Sequence, residues 1–312
     1  GLSFLGTILL FEVTLRIIGF DFELPRYMVF AKETLNAIKS GGYLRDDSLF
    51  WKNAPLKGDI NSSGFRGPQI GVKRNIRILC IGDSCTFGAG ILYEDTYPHK
   101  LELLLKDLKL DAEVINAGVP NYSSLQGLRL FERDLLKLKP DIVIAEFGVI
   151  DQGYCYFYSD SEQKTRDTLN NFLISALNKI KISQFVYKKI FISSGKNRNL
   201  DLRSYPMIKP RVSTPEFYSN FKRLAAISDR NSIKLIFVKP VLFDFNKGSV
   251  NPTGDDYIFP EGYPMLDLYD LFKKQKDLKG FFLERDFCHM NSRGNALVAE
   301  EILKILEKKK LI

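Results

Sequence analysis

An α/β fold built on a parallel sheet is what this chain of 312 residues predicts. Three observations carry the prediction. Apolar, β-rich runs recur at Ile76–Ile81, Glu113–Ala117, Asp141–Phe147 and Ile233–Val238. Stretches with helical spacing separate them, and strands that alternate with helices imply parallel pairing through right-handed crossovers. Ser84, Gly118 and Gly148 each fall just after a predicted strand. In such a sheet the carboxyl ends of the strands form the ligand edge, so these three positions are expected to meet there.

The elements follow in order. Residues 2–20 are strongly apolar, broken by Glu12 and Arg16, whose i, i+4 spacing lets them pair on one helical face. The stretch is short for a complete span of about 20 residues. It reads as the outer part of a transmembrane or signal-anchor helix over residues 1–20, with an amphipathic helix packed on the domain as the alternative. Residues 21–75 show no clear period and carry turn signals at Gly41-Gly42, Asn61-Ser62-Ser63-Gly64 and Gly67-Pro68. They read as an irregular connector. Arg66 within it suits a surface ion pair better than a substrate carboxylate.

Thr96–Leu108 places Leu101, Leu104, Leu105 and Leu108 on one helical face. Ser123–Leu138 forms the next helix, with Ser123 or Ser124 as its N-cap. A helix over 215–229 precedes the fourth strand, and a last helix over 291–308 is capped by Asn291 or Ser292. Residues 152–212 interrupt the alternation with an aromatic cluster, Tyr154, Tyr156, Phe157 and Tyr158, and an amphipathic helical stretch, Thr168–Ile192. That insertion could cap a site, lie on a membrane or simply pack.

Composition narrows the function. The chain is 45% hydrophobic and carries a net charge of +8, enough apolar content for a sizeable core. The positive balance fits solvated basic faces, or attraction to an anionic membrane or acidic polymer. The lysines are dispersed and no nucleic-acid motif is present, so nucleic acid is not an expected partner. Cysteines at 80, 85, 155 and 288 lack metal-ligand spacing, and Gly82–Gly90 lacks the Lys-Ser/Thr ending of a phosphate loop, so no cofactor or metal is expected. Cys80 suits a strand core, whereas Cys85 and Cys288 each neighbour a chemically suggestive residue and are expected close in space.

The chemistry centres on Cys80-Ile81-Gly82-Asp83-Ser84-Cys85-Thr86-Phe87-Gly88, where a buried strand runs into a turn presenting Ser84. One of only two histidines closes Asp286-Phe287-Cys288-His289. On a single turn, Asp286 and His289 share a face, so the carboxylate can hold Nδ1 while Nε2 faces Ser84. This constellation points to acyl transfer by a serine nucleophile. The amides of Ser84 and Gly118 are candidate oxyanion donors. His99 suits a surface or capping role, and Asp83 and Asp151 suit structural ones.

These blocks resemble the SGNH (GDSL-type) hydrolase family over about residues 76–305. Gly82-Asp83-Ser84 with Thr86 and Gly88 is similar to its first block, Gly118 to its second, Gly148-Val149-Ile150-Asp151 to its third and Asp286-x-x-His289 to its last. The stretch Val114–Gly127 looks most like bacterial, often membrane-anchored members. The resemblance implies a flavodoxin-like three-layer sandwich over 76–312, with Ser84 as nucleophile, His289 as general base and then acid, and Asp286 as its orienter. It implies a serine esterase working through an acyl-enzyme on an ester substrate. O-acyl groups of cell-surface glycans, small acyl esters and lipids are the candidates, with the catalytic domain outside the cytoplasm and the N-terminal helix in a membrane. One position departs. Ile150 stands where the family carries a third oxyanion donor, an Asn, and the loss of one donor costs about 10²–10³ in rate. Two rival readings therefore accompany the esterase: an O-acyltransferase for a surface polysaccharide, and a non-catalytic glycan-binding protein on a decayed hydrolase fold.

Overall fold

The computed structural model describes residues 2–21, 32–155, 159–162, 173, 176–193, 209–254 and 256–312. The chain divides into a smaller unit, Gly1–Ala31 with Tyr154–Lys209, and a larger one, Lys32–Gly153 with Pro210–Ile312.

In the larger unit the strands are β1 (Tyr43–Asp46), β2 (Phe50–Asn53), β3 (Ile76–Gly82), β4 (Ala112–Asn116), β5 (Ile142–Glu146), β6 (Lys234–Lys239), β7 (Val241–Asp244), β8 (Ser249–Pro252) and β9 (Met265–Asp267). Its helices are α1 (Lys32–Lys39), α2 (Ser84–Phe87), α3 (Tyr97–Asp107), α4 (Ser124–Arg133), α5 (Thr214–Arg230), α6 (Leu268–Phe272) and α7 (Ser292–Lys308). Five strands form one parallel sheet in the order β9-β6-β5-β3-β4. The register sets Cys80 opposite Asn116 and Ile144, and Gly82 opposite Glu146. The turns after β3, β4 and β5 consequently open on one edge, as the alternating pattern predicts.

Side chains alternate across the pleat. Ile78, Cys80, Ile142, Ile144, Ile236 and Val238 face one way and join Leu101 and Leu105 of α3 with Val298, Ala299, Ile302 and Leu306 of α7 in one core. The opposite face is covered by α4 and α5, where Phe221 meets Phe147 and Phe237 edge-on. This is a three-layer α/β sandwich. The four expected strands are all present.

Differences lie where local signals were weak. The stretch 21–75, expected to be irregular, contains α1 and the β1–β2 hairpin. Distant residues hold that hairpin: Trp51 Nε1 donates to Pro120 O (3.3 Å), Gln126 Nε2 to Leu49 O (2.7 Å) and Arg133 to Asp46 (2.7 Å). Edge strand β9 and the β7–β8 hairpin also lacked a readable pattern, because short strands show too few alternations to stand out. The helix expected over Ser123–Leu138 ends at Arg133 and continues as a tighter turn through Leu135–Leu138.

The smaller unit contains the helices Leu2–Ile17 and Lys181–Ser193. Arg16 and Glu12 pair at 2.6 Å, as their spacing predicts. Glu12 also accepts the amides of Lys181 (3.0 Å) and Ile182 (2.8 Å), capping the second helix, and Phe11 packs edge-on against Phe185. A turn at 178–180 therefore breaks the single helical stretch expected over Thr168–Ile192. The rest of that stretch, 168–172 and 174–175, and Tyr156, Phe157 and Tyr158 of the aromatic cluster lie outside the described residues. Phe4, Leu5, Leu9, Leu10 and Ile17 are exposed. Among the described residues no helix is long and apolar enough to cross a membrane.

Candidate active site

Strand β3 runs through Gly82 into the one-turn helix α2, which begins with Ser84. Asp83 caps that helix: its carboxylate accepts the Cys85 amide at 2.8 Å. Burial raises the Asp83 pKa to about 6, against the Cys85 amide and the His289 charge, which pull it down. The structural role expected of Asp83 is the one observed. Gly82 is a glycine because a Cβ there would stand 2.1 Å from Thr86 Oγ1 and 2.7 Å from the Glu146 carbonyl. Gly118 is more constrained still, since its Cβ would meet Phe87 N at 2.4 Å and Phe87 Cα at 2.9 Å. These are backbone atoms that cannot swing away. Gly118→Ala is therefore expected to push α2 out of place, lowering the thermal midpoint and abolishing reaction of Ser84 with an active-site probe. A normally reactive, fully stable variant would contradict this close approach.

The second half of the site comes from the loop before α7. Leu283 N donates to His289 O (3.0 Å), and Asp286 Oδ1 accepts the amides of Cys288 and His289 (2.9 Å each). Asn291 then caps α7. The resulting turn puts Asp286 and His289 on one face, as expected. Asp286 Oδ2 lies 2.8 Å from His289 Nδ1, and His289 Nε2 lies 2.7 Å from Ser84 Oγ. Ser84 is 8% exposed, and the His289 side chain 20%, so the chain of contacts is reachable from solvent. Burial works to raise the Asp286 pKa, but the hydrogen bonds from His289 and the two amides outweigh it and hold the carboxyl well below its ordinary range. Burial works to lower the His289 pKa, but Asp286 and the neighbouring Cys288 outweigh it and lift it to about 10.

The oxyanion side is less complete. The Gly118 amide donates to Asn116 Oδ1 at 3.1 Å, so it would have to share or give up that bond to serve a substrate. At the Ile150 position no amide side chain is available. Asn121 Nδ2 is engaged by Thr34 Oγ1 (3.1 Å) and Gln152 Nε2 by Gly148 O (2.8 Å), so these two possible substitutes are tied elsewhere. Asp151 accepts the Ser124 amide at 2.9 Å and holds the start of α4, a structural role as expected. His99 packs against Tyr93 with the ring planes tilted by 51° and the centroids 4.8 Å apart. Cys80 is fully buried in the core, and Cys85 and Cys288 are indeed neighbours.

Three contributors escaped the sequence reading. Arg66, expected at the surface, is 7% exposed. Its guanidinium donates to the carbonyls of Phe87 (2.8 Å), Gly88 (2.7 Å) and Ile91 (2.8 Å) and to Asp59 (2.6 Å). It fastens the end of α2, and its donors are committed to that task rather than to a substrate. Asn116 holds the same segment through Phe87 O (3.3 Å). Glu146, at the end of β5, accepts from Thr86 Oγ1 at 2.8 Å beneath Ser84. A lone acidic residue closing an apolar strand was the available signal for it. Burial, reinforced by the Asp83 carboxylate, raises the Glu146 pKa to about 8. A carboxyl raised in the folded state contributes stability that is complete below its unfolded value, near 4.3, and is lost as pH climbs through 8. Glu146→Gln removes that loss. Relative to the wild type, its stability should rise steadily from pH 4 towards pH 9, by on the order of a few kcal/mol in all. Parallel profiles would refute a buried, neutral Glu146.

Residues 80–230 match the family described as GDSL-like lipase/acylhydrolase. Over this stretch, just under half of its length, the chain is similar to lipases and acylhydrolases, enzymes that cleave acyl esters. The matched stretch contains Ser84, Gly118 and Ile150 but ends before Asp286 and His289. No curated protein matches the chain. Similar solved structures include a G-D-S-L lipolytic protein from Desulfitobacterium hafniense, 16% identical over 74% of this chain and 100% of the other, with a TM-score of 0.46. The lipase/acylhydrolase of Enterococcus faecalis is 19% identical over 75% and 96% of the two chains, with a TM-score of 0.44. An acetyl xylan esterase is 18% identical over 74% and 100%, with a TM-score of 0.47.

Proposed function

We propose that this chain is an acylhydrolase that works through a Ser84–His289–Asp286 triad. The observation that carries the reading is the unbroken contact chain of 2.7 and 2.8 Å linking residues 205 positions apart. In this mechanism His289, in its unprotonated form, takes the proton of Ser84 Oγ on Nε2 as the oxygen attacks the ester carbonyl, so activity is expected to rise with pH as the ring loses its proton. Asp286, ionised, holds Nδ1–H and stabilises the imidazolium. The Ser84 amide receives the developing oxyanion, joined by Gly118 once its bond to Asn116 yields. His289 then protonates the leaving alcohol, and water attacks the Ser84 ester to release the acid.

For the substrate we propose an O-acyl ester on a cell-surface glycan. The net charge of +8 favours an anionic polymer, and the exposed apolar residues of Leu2–Ile17 suit attachment to a membrane, with the catalytic unit outside the cytoplasm. The intact triad geometry weighs against a decayed, merely binding protein. The test is a fluorophosphonate probe on the purified protein, with the labelled peptide identified by mass spectrometry. Modification of Ser84, together with acetate release from acetylated anionic glycans, is the expected result. A folded protein that leaves the probe unreacted would sink the triad. Labelling without glycan deacylation, alongside cleavage of lipid esters, would replace the substrate.

A further inference from the structure

Behind the imidazole lie two thiols that the proposed mechanism does not use. Cys85, adjacent to Ser84, and Cys288, adjacent to His289, are both buried. Cys85 Sγ, Cys288 Sγ and a ring nitrogen of His289 all lie within 4.8 Å of one another, and Cys288 Sγ is 3.8 Å from Nδ1. A tetrahedral zinc ion with Zn–S near 2.3 Å and Zn–N near 2.0 Å sets its ligand atoms about 3.5–3.8 Å apart. The trio needs only small side-chain movements to reach that spacing. The donors are two soft sulfurs and one imidazole, a set that selects zinc and its thiophilic neighbours over magnesium or calcium.

We propose that Cys85, Cys288 and His289 Nδ1 form an inhibitory site for a thiophilic divalent cation, zinc foremost. Its inhibitory effect rests on the triad reading above; the binding does not. On binding, both thiols release their protons to solvent and two metal–sulfur bonds form. The imidazole ends neutral: Nδ1 gives up its proton to solvent and becomes the third ligand, and Nε2 carries the ring's one proton. Asp286 Oδ2, 2.8 Å from Nδ1, loses its hydrogen bond and becomes the nearest fourth ligand. An imidazole protonated at Nε2 cannot accept the Ser84 proton, so the base is blocked while the fold stays intact. Chelation reverses the block. The fold thereby places a metal-responsive stop on the far side of the very ring whose near side faces Ser84.

The test uses cobalt(II) as a spectroscopic stand-in and zinc as inhibitor, in the presence of a phosphine reductant that keeps both thiols reduced. Wild type and Ser84→Ala should each bind one cobalt with a thiolate charge-transfer band and tetrahedral ligand-field bands. Cys85→Ala and Cys288→Ala should lose the band. Stoichiometric zinc should slow fluorophosphonate labelling of the wild type at least tenfold, with recovery on adding EDTA. In each cysteine variant the ratio of rates without and with zinc should fall towards one. Absence of the cobalt–thiolate band from folded wild type would overturn the site. So would equal zinc inhibition of wild type and both cysteine variants. A cobalt band without any slowing of labelling would overturn the inhibition. A wild type that binds cobalt but never reacts with the probe, even metal-free, would count against the triad and leave the metal site standing. The direct cobalt measurement on wild type decides the matter even if a cysteine variant fails to fold.

Discussion

Ser84→Ala is expected to lower kcat/KM by about 10⁴- to 10⁶-fold, and His289→Ala added to it should cost little more. Non-additivity follows from the way the groups act. Ser84 Oγ is a poor nucleophile until His289 Nε2, 2.7 Å away, removes its proton. Once either partner is gone, the other has nothing to do. The residual rate then comes from substrate binding and the oxyanion donors. Kinetics of the two single variants and the double variant on a small acyl ester provide the measurement. Additive losses would mean that the two residues act independently and that the contact between them is incidental. If the Ile150 position costs one oxyanion donor, as the family resemblance implies, the fold-loss should lie towards the smaller end of that range.

Arg66→Ala is expected to be the most damaging substitution away from the reacting atoms. The change removes the guanidinium from three carbonyls at the end of the turn that presents Ser84: Phe87 O keeps Asn116 Nδ2 (3.3 Å) and Gly88 O keeps the Ile91 amide (3.3 Å), while Ile91 O loses its donor. Its pairing with the partly exposed Asp59 contributes little by comparison, since exposed ion pairs are worth at most about 1 kcal/mol. The lost carbonyl bonds dominate, at roughly 0.5–1.5 kcal/mol for each of the two carbonyls that keep another donor and roughly 1–3 kcal/mol for the one that does not. A total loss of about 3–5 kcal/mol follows, with a lowered melting midpoint and slowed labelling of Ser84. Arg66→Lys should rescue little. A single ammonium keeps the charge but lacks the planar fork that reaches several carbonyls at once. Full recovery of stability and labelling by lysine would show that charge, not the array of hydrogen bonds, is what holds α2. The guanidinium also lies 4.6 Å over the Phe87 ring, a further contact that lysine would reproduce only in part.

These expectations draw unequally on the sequence. The sheet was legible because its buried strands are nearly continuous apolar runs, and because the helices between them carry a 3.6-residue period that local reading detects. Ser84, Asp286 and His289 were legible for a different reason. Each sits in a short block whose spacing already fixes its local geometry: the strand-to-turn step around Gly82–Gly88, and the i, i+3 pair before the last helix. The capping asparagine of that helix, Asn291, was equally local.

What the tertiary structure alone decided is everything that depends on approach between distant segments. Arg66 looks like a surface residue because its neighbours in sequence are turn formers, yet its partners lie 21 to 25 positions away. The β1–β2 hairpin needs Pro120, Gln126 and Arg133 to exist, and the break before Lys181 needs Glu12. The Gly118 amide was readable as a donor but not as one already bonded to Asn116, since nothing in the spacing of the two residues says where that side chain turns. Glu146 shows the same division: its place at the end of an apolar strand is written in the sequence, and its raised pKa is not. Periodicity and capping are properties of a segment, determined by its own residues. Burial, desolvation and long-range hydrogen bonds are properties of the packed whole, and they set which of the legible groups can act.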